Sequence, residues 1–349
     1  MLGVRVFIFP PCPMTATVLP THTRDLFQTA VRRAAELLRA GEVVALPTET
    51  VYGLVANALK AEAVAKIFTI KGRPVHNPII VHVASLEMAQ ACVTGWPLAA
   101  AQLANSFWPG PLTLVLPKSK AIPDLVTAGG ATVGVRWPSH PFIQAVIREC
   151  GFPLAAPSAN LSNQISPTTA EHVHNRLGDQ LALIVDGGQS QVGIESTVVD
   201  LTTTPPRVLR PGMIHEESLA AVVASIQPPT ANNQQPPTLR SPGLLKKHYS
   251  PKARLVILKW ANDADLRRQI EDRSLQRLNA HIITHTHIPA GTGLGDVSVI
   301  PHDAEAFARA IYGELHRCDA AGAALIVVEA LPETIEWRAI VDRLNRAAS

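Results

Sequence analysis

The chain has 349 residues, of which 47% are hydrophobic and 17% charged, and 31 basic against 28 acidic side chains leave a formal net charge of +3. That length and apolar share support buried cores and two domains, while the near-balanced charge excludes a chain coated for nucleic acid or for a membrane surface. Cys12, Cys92, Cys150 and Cys318 form no CxxC pair, which excludes a zinc ribbon or disulfide framework and fits free thiols in a reducing cytoplasm.

Taken in chain order, residues 1–22 are expected to be an N-terminal tail. Its apolar stretch 4–9, cut by Pro10, Pro11 and Pro13, is too short for a signal peptide, and Met14 offers an alternative start. No later apolar run approaches the ~20 residues that span a bilayer, so no membrane partner is expected. Residues 26–40 predict an amphipathic helix, with Leu26, Ala30, Val31, Ala34, Leu37 and Leu38 at helical spacing and Gly41 to end it. Short β-branched runs at 43–46, 79–84, 112–116, 132–137, 183–185 and 197–201 then alternate with helical patterns to about residue 225. This predicts an α/β domain over 23–225, built on one mixed sheet.

Composition changes at 226–243, where Gln227-Pro228-Pro229, Asn232-Asn233-Gln234-Gln235 and Pro236-Pro237 cannot supply a core. The segment 226–252 is therefore read as a linker. Strands at 255–258, 281–283, 297–300 and 324–328, with helices at 304–317 and 335–347, predict a second, smaller doubly wound α/β domain over 253–349.

Four clusters in the first domain carry chemistry. Pro47-Thr48-Glu49-Thr50-Val51-Tyr52-Gly53-Leu54 puts hydroxyls and a carboxylate on a strand-end loop, where open α/β sheets bind ligands; alone it would pass for an ordinary polar turn. Lys71-Gly72-Arg73-Pro74-Val75-His76-Asn77-Pro78 follows a helix at 61–70. Gly72 suits the left-handed position past its end, Lys71 complements the helix dipole, and the prolines hold Arg73 and Asn77 in an extended arrangement suited to a phosphate or carboxylate. Strand alternation puts Thr132, Gly134 and Arg136 on one face of 132–137, and His82 on the matching face of 79–84. Gly134 leaves room there for a ligand, although a lone histidine is more often structural. Finally, Ala155-Ala156-Pro157-Ser158-Ala159-Asn160 and Ser166-Pro167-Thr168-Thr169 offer hydroxyls and an amide, with Ser166 placed to cap a helix.

The chain lacks a GxxxxGK[ST] phosphate loop, a GxSxG turn and an HExxH helix. Gly291-Thr292-Gly293-Leu294-Gly295 has the wrong spacing for a dinucleotide fingerprint and reads as a loop. His281, His285 and His287 lack cysteine or carboxylate neighbours in sequence, so no metal ligands are assigned.

In order along the chain, segments 47–54 and 71–78, Gly110-Pro111-Leu112-Thr113, Gly134-Val135-Arg136-Trp137-Pro138, Pro157-Ser158-Ala159-Asn160, Glu195-Ser196-Thr197-Val198-Val199-Asp200 and Leu209-Arg210-Pro211-Gly212 together resemble the threonylcarbamoyl-AMP synthase family with its YrdC-type catalytic domain. Ser241-Pro242-Gly243 and His248-Tyr249-Ser250-Pro251 look like the linker motif of its long, two-domain form, though Leu244-Leu245-Lys246-Lys247 stands where many relatives carry an aromatic. The resemblance implies a twisted mixed α/β sheet with a deep groove, and synthesis of threonylcarbamoyl-AMP from ATP, L-threonine and bicarbonate, with Mg2+, for tRNA modification. It assigns Lys71, Arg73, Ser158 and Asn160 to catalysis. Thr50, His82, Arg136, Ala156 and Ser196 are assigned to threonine, and Arg73, Asn77, Thr132, Ser158, Ser166 and Arg210 to ATP, with Tyr249 covering the adenylate. tRNA and a downstream transferase are further partners the resemblance suggests. The rival classes are an RNA-binding module without catalysis, disfavoured because aromatic and basic residues do not interleave, and a carbamoyltransferase-type domain.

Overall fold

The computed structural model describes residues 15–229, 241–243, 248–272, 279–290 and 295–349. The expected tail start, Cys12, most of the linker with 244–247, and the glycine-rich loop at 291–294 lie outside the described residues.

Thr23 accepts a hydrogen bond from the Leu26 amide and so starts Arg24–Arg39 (α1). Ala30, Val31, Ala34, Ala35 and Leu38 form its buried stripe, and Gly41 turns the chain at φ 80° just beyond its end. Further helices of this lobe are Ala61–Lys71 (α2), Leu86–Ala91 (α3), Leu98–Phe107 (α4), Pro141–Cys150 (α5), Ala170–Leu177 (α6) and Glu216–Ala220 (α7). The strands are Thr17–Pro20 (β1), Val44–Leu46 (β2), Gly53–Asn57 (β3), Val81–His82 (β4), Leu112–Pro117 (β5), Thr132–Arg136 (β6), Leu154–Ala155 (β7), Leu183–Asp186 (β8), Thr197–Asp200 (β9) and Arg207–Arg210 (β10). They form one sheet in the order β1-β8-β2-β3-β7-β4-β6-β5-β9-β10. The sheet is mixed: β4 and β6 run parallel, while β2 and β3, and β5 and β6, run antiparallel.

Alternation along the strands fills two cores. Leu54, Val81, Val133 and Val135 face a core roofed by α2, α4 and α6, whereas Val44, Leu46, Val55 and Leu154 face α1 and α5.

The structure corrects three expectations. The supposed tail contains β1, which pairs with β8 in register Thr17↔Leu183, so the domain begins before residue 23. The strand at 79–84 shrinks to two residues, because the Ile79 amide bonds the loop carbonyl of Val126 instead of a neighbouring strand. Ser166 does not cap α6; Thr169 does, accepting from the His172 amide.

The second lobe holds Arg254–Leu258 (β11), Asp263–Asp272 (α8), Ala280–Thr284 (β12), Asp296–Val299 (β13), Ala304–Ala320 (α9), Leu325–Glu329 (β14) and Arg338–Ala347 (α10), the last preceded by a 3-10 turn at Ile335–Trp337. Its sheet is all parallel in the order β11-β14-β12-β13. Ile326 and Val328 face α9 and α10, and Leu325 and Val327 face α8, so helices cover both faces as in a doubly wound fold. The lobes share a core: Val51, Ile165, Ile194 and Tyr249 pack with Phe307, Ile311, Leu315 and Ile340. No helix among the described residues is long and apolar enough to cross a membrane.

Candidate active site

Pro47 stops β2, and Thr48 organises the turn that follows. Its hydroxyl donates to the Val51 carbonyl at 2.6 Å and accepts from the Thr50 and Val51 amides. This aims the Thr50 hydroxyl at the end of β6, where Arg136 Nη1 donates to it at 2.9 Å. Arg136 Nη2 also lies 2.7 Å from Glu49 Oε1, a contact of charges that is not aligned as a hydrogen bond. Both side chains are buried. Burial opposes ionisation of Glu49, but the Arg136 charge and the Ser139 amide outweigh it and hold the carboxyl below its usual range.

Gly72 ends α2 in the left-handed conformation at φ 56°, as the sequence predicts. The turn delivers Arg73, whose Nε donates to the Asn77 carbonyl and Nη2 to the Pro78 carbonyl, at 3.1 and 2.7 Å. Among the described residues Nη1 takes no protein partner. Burial, reinforced by Arg210, lowers the Arg73 pKa to about 10, so the group remains a cation at neutral pH. Asn77 beside it is fully buried with both amide atoms unpartnered.

Lys71 is placed differently from expectation. It does not line the cavity but lies buried behind it, donating to the carbonyl oxygens of Ser158 and Asn160. Burial and then Arg73 push its pKa well down. Asn160 donates to the Leu161 and Gln164 carbonyls, at 2.7 and 2.8 Å. These two residues shape the loop that carries Ser158; they do not form the cavity wall.

On the far side, Arg210 at the end of β10 donates through Nε to the Ser196 carbonyl, through Nη2 to the Ser196 hydroxyl and through Nη1 to the Pro242 carbonyl. The Ser196 hydroxyl also meets that of Thr113 at 2.9 Å. Ser166 donates to Glu195 Oε1 at 2.6 Å.

Tyr249 closes the arrangement at φ 63°, its ring against His248 and Tyr312 and its hydroxyl unpartnered. Gly243 is required beneath it: a Cβ there would sit 2.5 Å from the Tyr249 hydroxyl oxygen and 3.1 Å from Arg210 Nη1.

One cavity of about 550 Å³, open mouth included, is lined by Thr50, Arg73, His82, Arg136, Ala156, Ser158, Ser196, Arg210 and Tyr249, together with Glu195 and His248. Thr132 and Gly134 line a smaller neighbouring cavity that shares Ile80 and Pro242 with it. The expected residues thus converge, with Lys71, Asn77, Asn160 and Ser166 outside the lining. Burial and the Arg136 charge keep His82 neutral. Burial drives the Tyr249 pKa up to about 12 and that of His248 down to about 3. Three guanidinium groups anchored largely by carbonyls and hydroxyls suit an anion, or two anions side by side.

Sequence reading placed Glu49 on a ligand-binding loop and Glu195 in a motif without giving either a role, and it missed Arg343. The signal for Arg343 was present, since it sits on the apolar stripe Ile340, Leu344, Ala347 of α10 and is 1% exposed.

Cys92, Cys150 and Cys318 are buried, free thiols whose pKa values burial raises to about 11, 11 and 12. His287 pairs with Glu329, and His285 stacks on His302. Among the described residues no group of three or more His, Cys, Asp or Glu side chains could hold a metal ion.

Fold and cavity define a two-lobed α/β protein with a buried, arginine-lined cavity walled on one side by Pro242, Gly243, His248 and Tyr249 from between the lobes. A family model described as "Telomere recombination" (Sua5/YciO/YrdC) matches residues 36–212, and one described as "Threonylcarbamoyl-AMP synthase, C-terminal domain" matches 214–349. The chain is 39% identical over 334 residues to the threonylcarbamoyl-AMP synthase of Pyrococcus abyssi, covering 95% of this chain and 98% of that one. It is 42% identical over 322 residues to that of Bacillus subtilis, covering 91% and 92%. The crystal structure of P. abyssi Sua5 complexed with L-threonine matches with a TM-score of 0.87 at 36% identity, over 95% of this chain and 98% of that one. The chain belongs to the threonylcarbamoyl-AMP synthase family.

Proposed function

We propose that this chain is an L-threonylcarbamoyladenylate synthase, a nucleotidyltransferase that converts ATP, L-threonine and bicarbonate into threonylcarbamoyl-AMP and pyrophosphate. The observation that carries this reading is the convergence of Arg73, Arg136, Ser158 and Arg210 on one cavity beneath Tyr249.

The threonine amine and bicarbonate give a carbamate and water. A carbamate oxygen then attacks the α-phosphorus of ATP, and the bond to the β-phosphate oxygen breaks to release pyrophosphate. Since the nucleophile belongs to the substrate, the protein needs no activated serine or cysteine, in keeping with burial raising the pKa values of Cys92, Cys150 and Cys318.

In this reading Arg136 and Thr50 take the threonine carboxylate and hydroxyl, with neutral His82, Ser196 and the Ala156 main chain completing that subsite. Arg73, Arg210 and Ser158 take ATP, with Thr132 in the adjoining cavity; Asn77 and Ser166 support that subsite from outside the lining, and Lys71 and Asn160 hold the Ser158 loop in place. The fixed cations bring two anions together and stabilise charge developing on the transferred phosphorus. Glu49 and Glu195, the carboxylates beside the cavity, are both paired with arginines, so Mg2+ fits as part of the Mg–ATP substrate, where it supplies phosphate charge neutralisation. Tyr249 keeps water from a product that hydrolyses readily. The product is suited to forming threonylcarbamoyladenosine next to the anticodon of tRNA.

The test is a mixture of protein, ATP, Mg2+, bicarbonate and threonine. Pyrophosphate release should depend on threonine and be weak with serine. Threonine-independent release would overturn the synthase reading, and no release together with salt-sensitive RNA affinity would replace it with a non-catalytic RNA-binding module.

A further inference from the structure

The cavity wall contains a feature at odds with binding a polyanion: the carboxylate of Glu195, which is buried and stands between Ser166, Ser196 and Arg210. Burial opposes its ionisation, yet the Arg343 and Arg210 charges outweigh that cost and hold its pKa below the usual carboxylate range. A wall anion of this kind would repel the phosphates and could draw Arg210 away from them.

The smaller lobe supplies the remedy. Arg343 on α10 reaches across the lobe boundary and donates through Nε to Glu195 Oε2 at 2.9 Å. Its Nη2 donates to the Pro211 carbonyl at 2.9 Å, and Nη1 meets Asp342 at 2.8 Å. The guanidinium lies 5.6 Å from the centre of the Tyr249 ring. Tyr312 on α9 donates its hydroxyl to the same Glu195 oxygen at 3.2 Å. With Ser166 on the other oxygen, both Glu195 oxygens are engaged, and Arg210 keeps its own bonds to Ser196 and Pro242.

We propose that Arg343 is a positioning residue of the site: it neutralises Glu195, so that a carboxylate can brace the wall without repelling the nucleotide's phosphates or capturing Arg210. The identity of the nucleotide rests on the synthase reading above. The smaller lobe is then part of the nucleotide site, acting through one buried ion pair that crosses the boundary.

Binding of Mg–ATP and of threonine, each by calorimetry, together with melting temperature, tests this on the full chain. Arg343→Met leaves Glu195 uncompensated and is expected to weaken Mg–ATP by about tenfold or more, and threonine by less. Arg343→Met combined with Glu195→Gln removes both charges and should return Mg–ATP affinity to within about threefold of the parent protein, a rescue that a packing role does not give. Should Arg343→Met fail to fold, the double variant decides alone, because losing both members of a buried pair is tolerated where losing one is not. A folded double variant that binds Mg–ATP about tenfold more weakly than the parent overturns the proposal, as does a folded single variant that binds it normally. Failure of the synthase reading is separable: it would show in the parent protein as absent threonine-dependent pyrophosphate release, whereas these differences are scored on binding alone.

Discussion

In the larger lobe the parallel strands β4 and β6 end at His82 and Arg136, and their ends open into the arginine-lined cavity. In the smaller lobe the parallel strands β12 and β14 end at Thr284 and Glu329, and their ends close on each other. Glu329 Oε2 accepts from the amides of His285 and Thr286 at 2.7 and 2.9 Å, and Oε1 from the amide of His287 at 3.1 Å. Successive amides of this kind form a ready anion-binding concavity, and here the chain's own carboxylate fills it. Burial works against that carboxylate, but the Thr284 hydroxyl and the amides outweigh it and hold its pKa far below normal. The same strand-end geometry therefore yields a site in one lobe and a structural lock in the other. What separates them is whether donors and charge are left unspent.

The largest effect that would break this comparison is at Arg73. Arg73→Ala should lower threonine-dependent pyrophosphate release by about 100- to 1,000-fold with the fold intact by circular dichroism. Normal turnover by the folded variant would remove Arg73 from the mechanism.

Next comes the cover. Tyr249→Ala should lower the fraction of threonylcarbamoyl-AMP retained on the protein by about tenfold, while threonine affinity moves much less. Equal retention, read by rapid gel filtration of labelled product, would count against a covering role.

At the lock, Glu329→Gln should cost roughly 1–3 kcal/mol of stability, since it weakens a cluster of charge-assisted bonds. Pyrophosphate release at a temperature where the variant is folded should stay within about twofold of the parent. A loss of turnover without a loss of stability would mean that this crevice also serves the reaction.

The smallest effect concerns pH. His248 stays neutral in the folded protein down to about 3, while in the unfolded chain it titrates near 6.5. Below 6.5 the unfolded state therefore binds the extra proton, and stability falls as pH drops from 6.5 towards 3, by at most about 1.4 kcal/mol per pH unit for this group. Burial lowers His82, His140, His172 and His316 in the same direction. The depressed carboxyls of Glu49, Glu195 and Glu329 add their loss only below about 4.5. Melting temperature against pH for His248→Asn should show a shallower decline between 6.5 and 4 than the parent; an unchanged slope would exclude His248 as a contributor.

What the sequence alone determined follows from local periodicity and backbone chemistry. Period-two alternation put Thr132 and Arg136 on one strand face and His82 on the matching one. Pro47 and Gly72 marked the turns that deliver Thr50 and Arg73, because proline removes a ladder donor and glycine tolerates positive φ. Other features depended on partners distant in the chain. Lys71 looked like a helix-end cation, yet its ammonium braces a loop almost ninety positions onward. Ser166 looked like a cap, yet its hydroxyl belongs to Glu195. β1 is half-exposed and ends in a proline, so it lacks a buried-strand pattern and becomes a strand through pairing with β8. The Glu195–Arg343 pair joins residues in different lobes, 148 positions apart. This buried carboxylate is tolerated because the fold brings it a counter-charge, and that meeting is a property of tertiary packing.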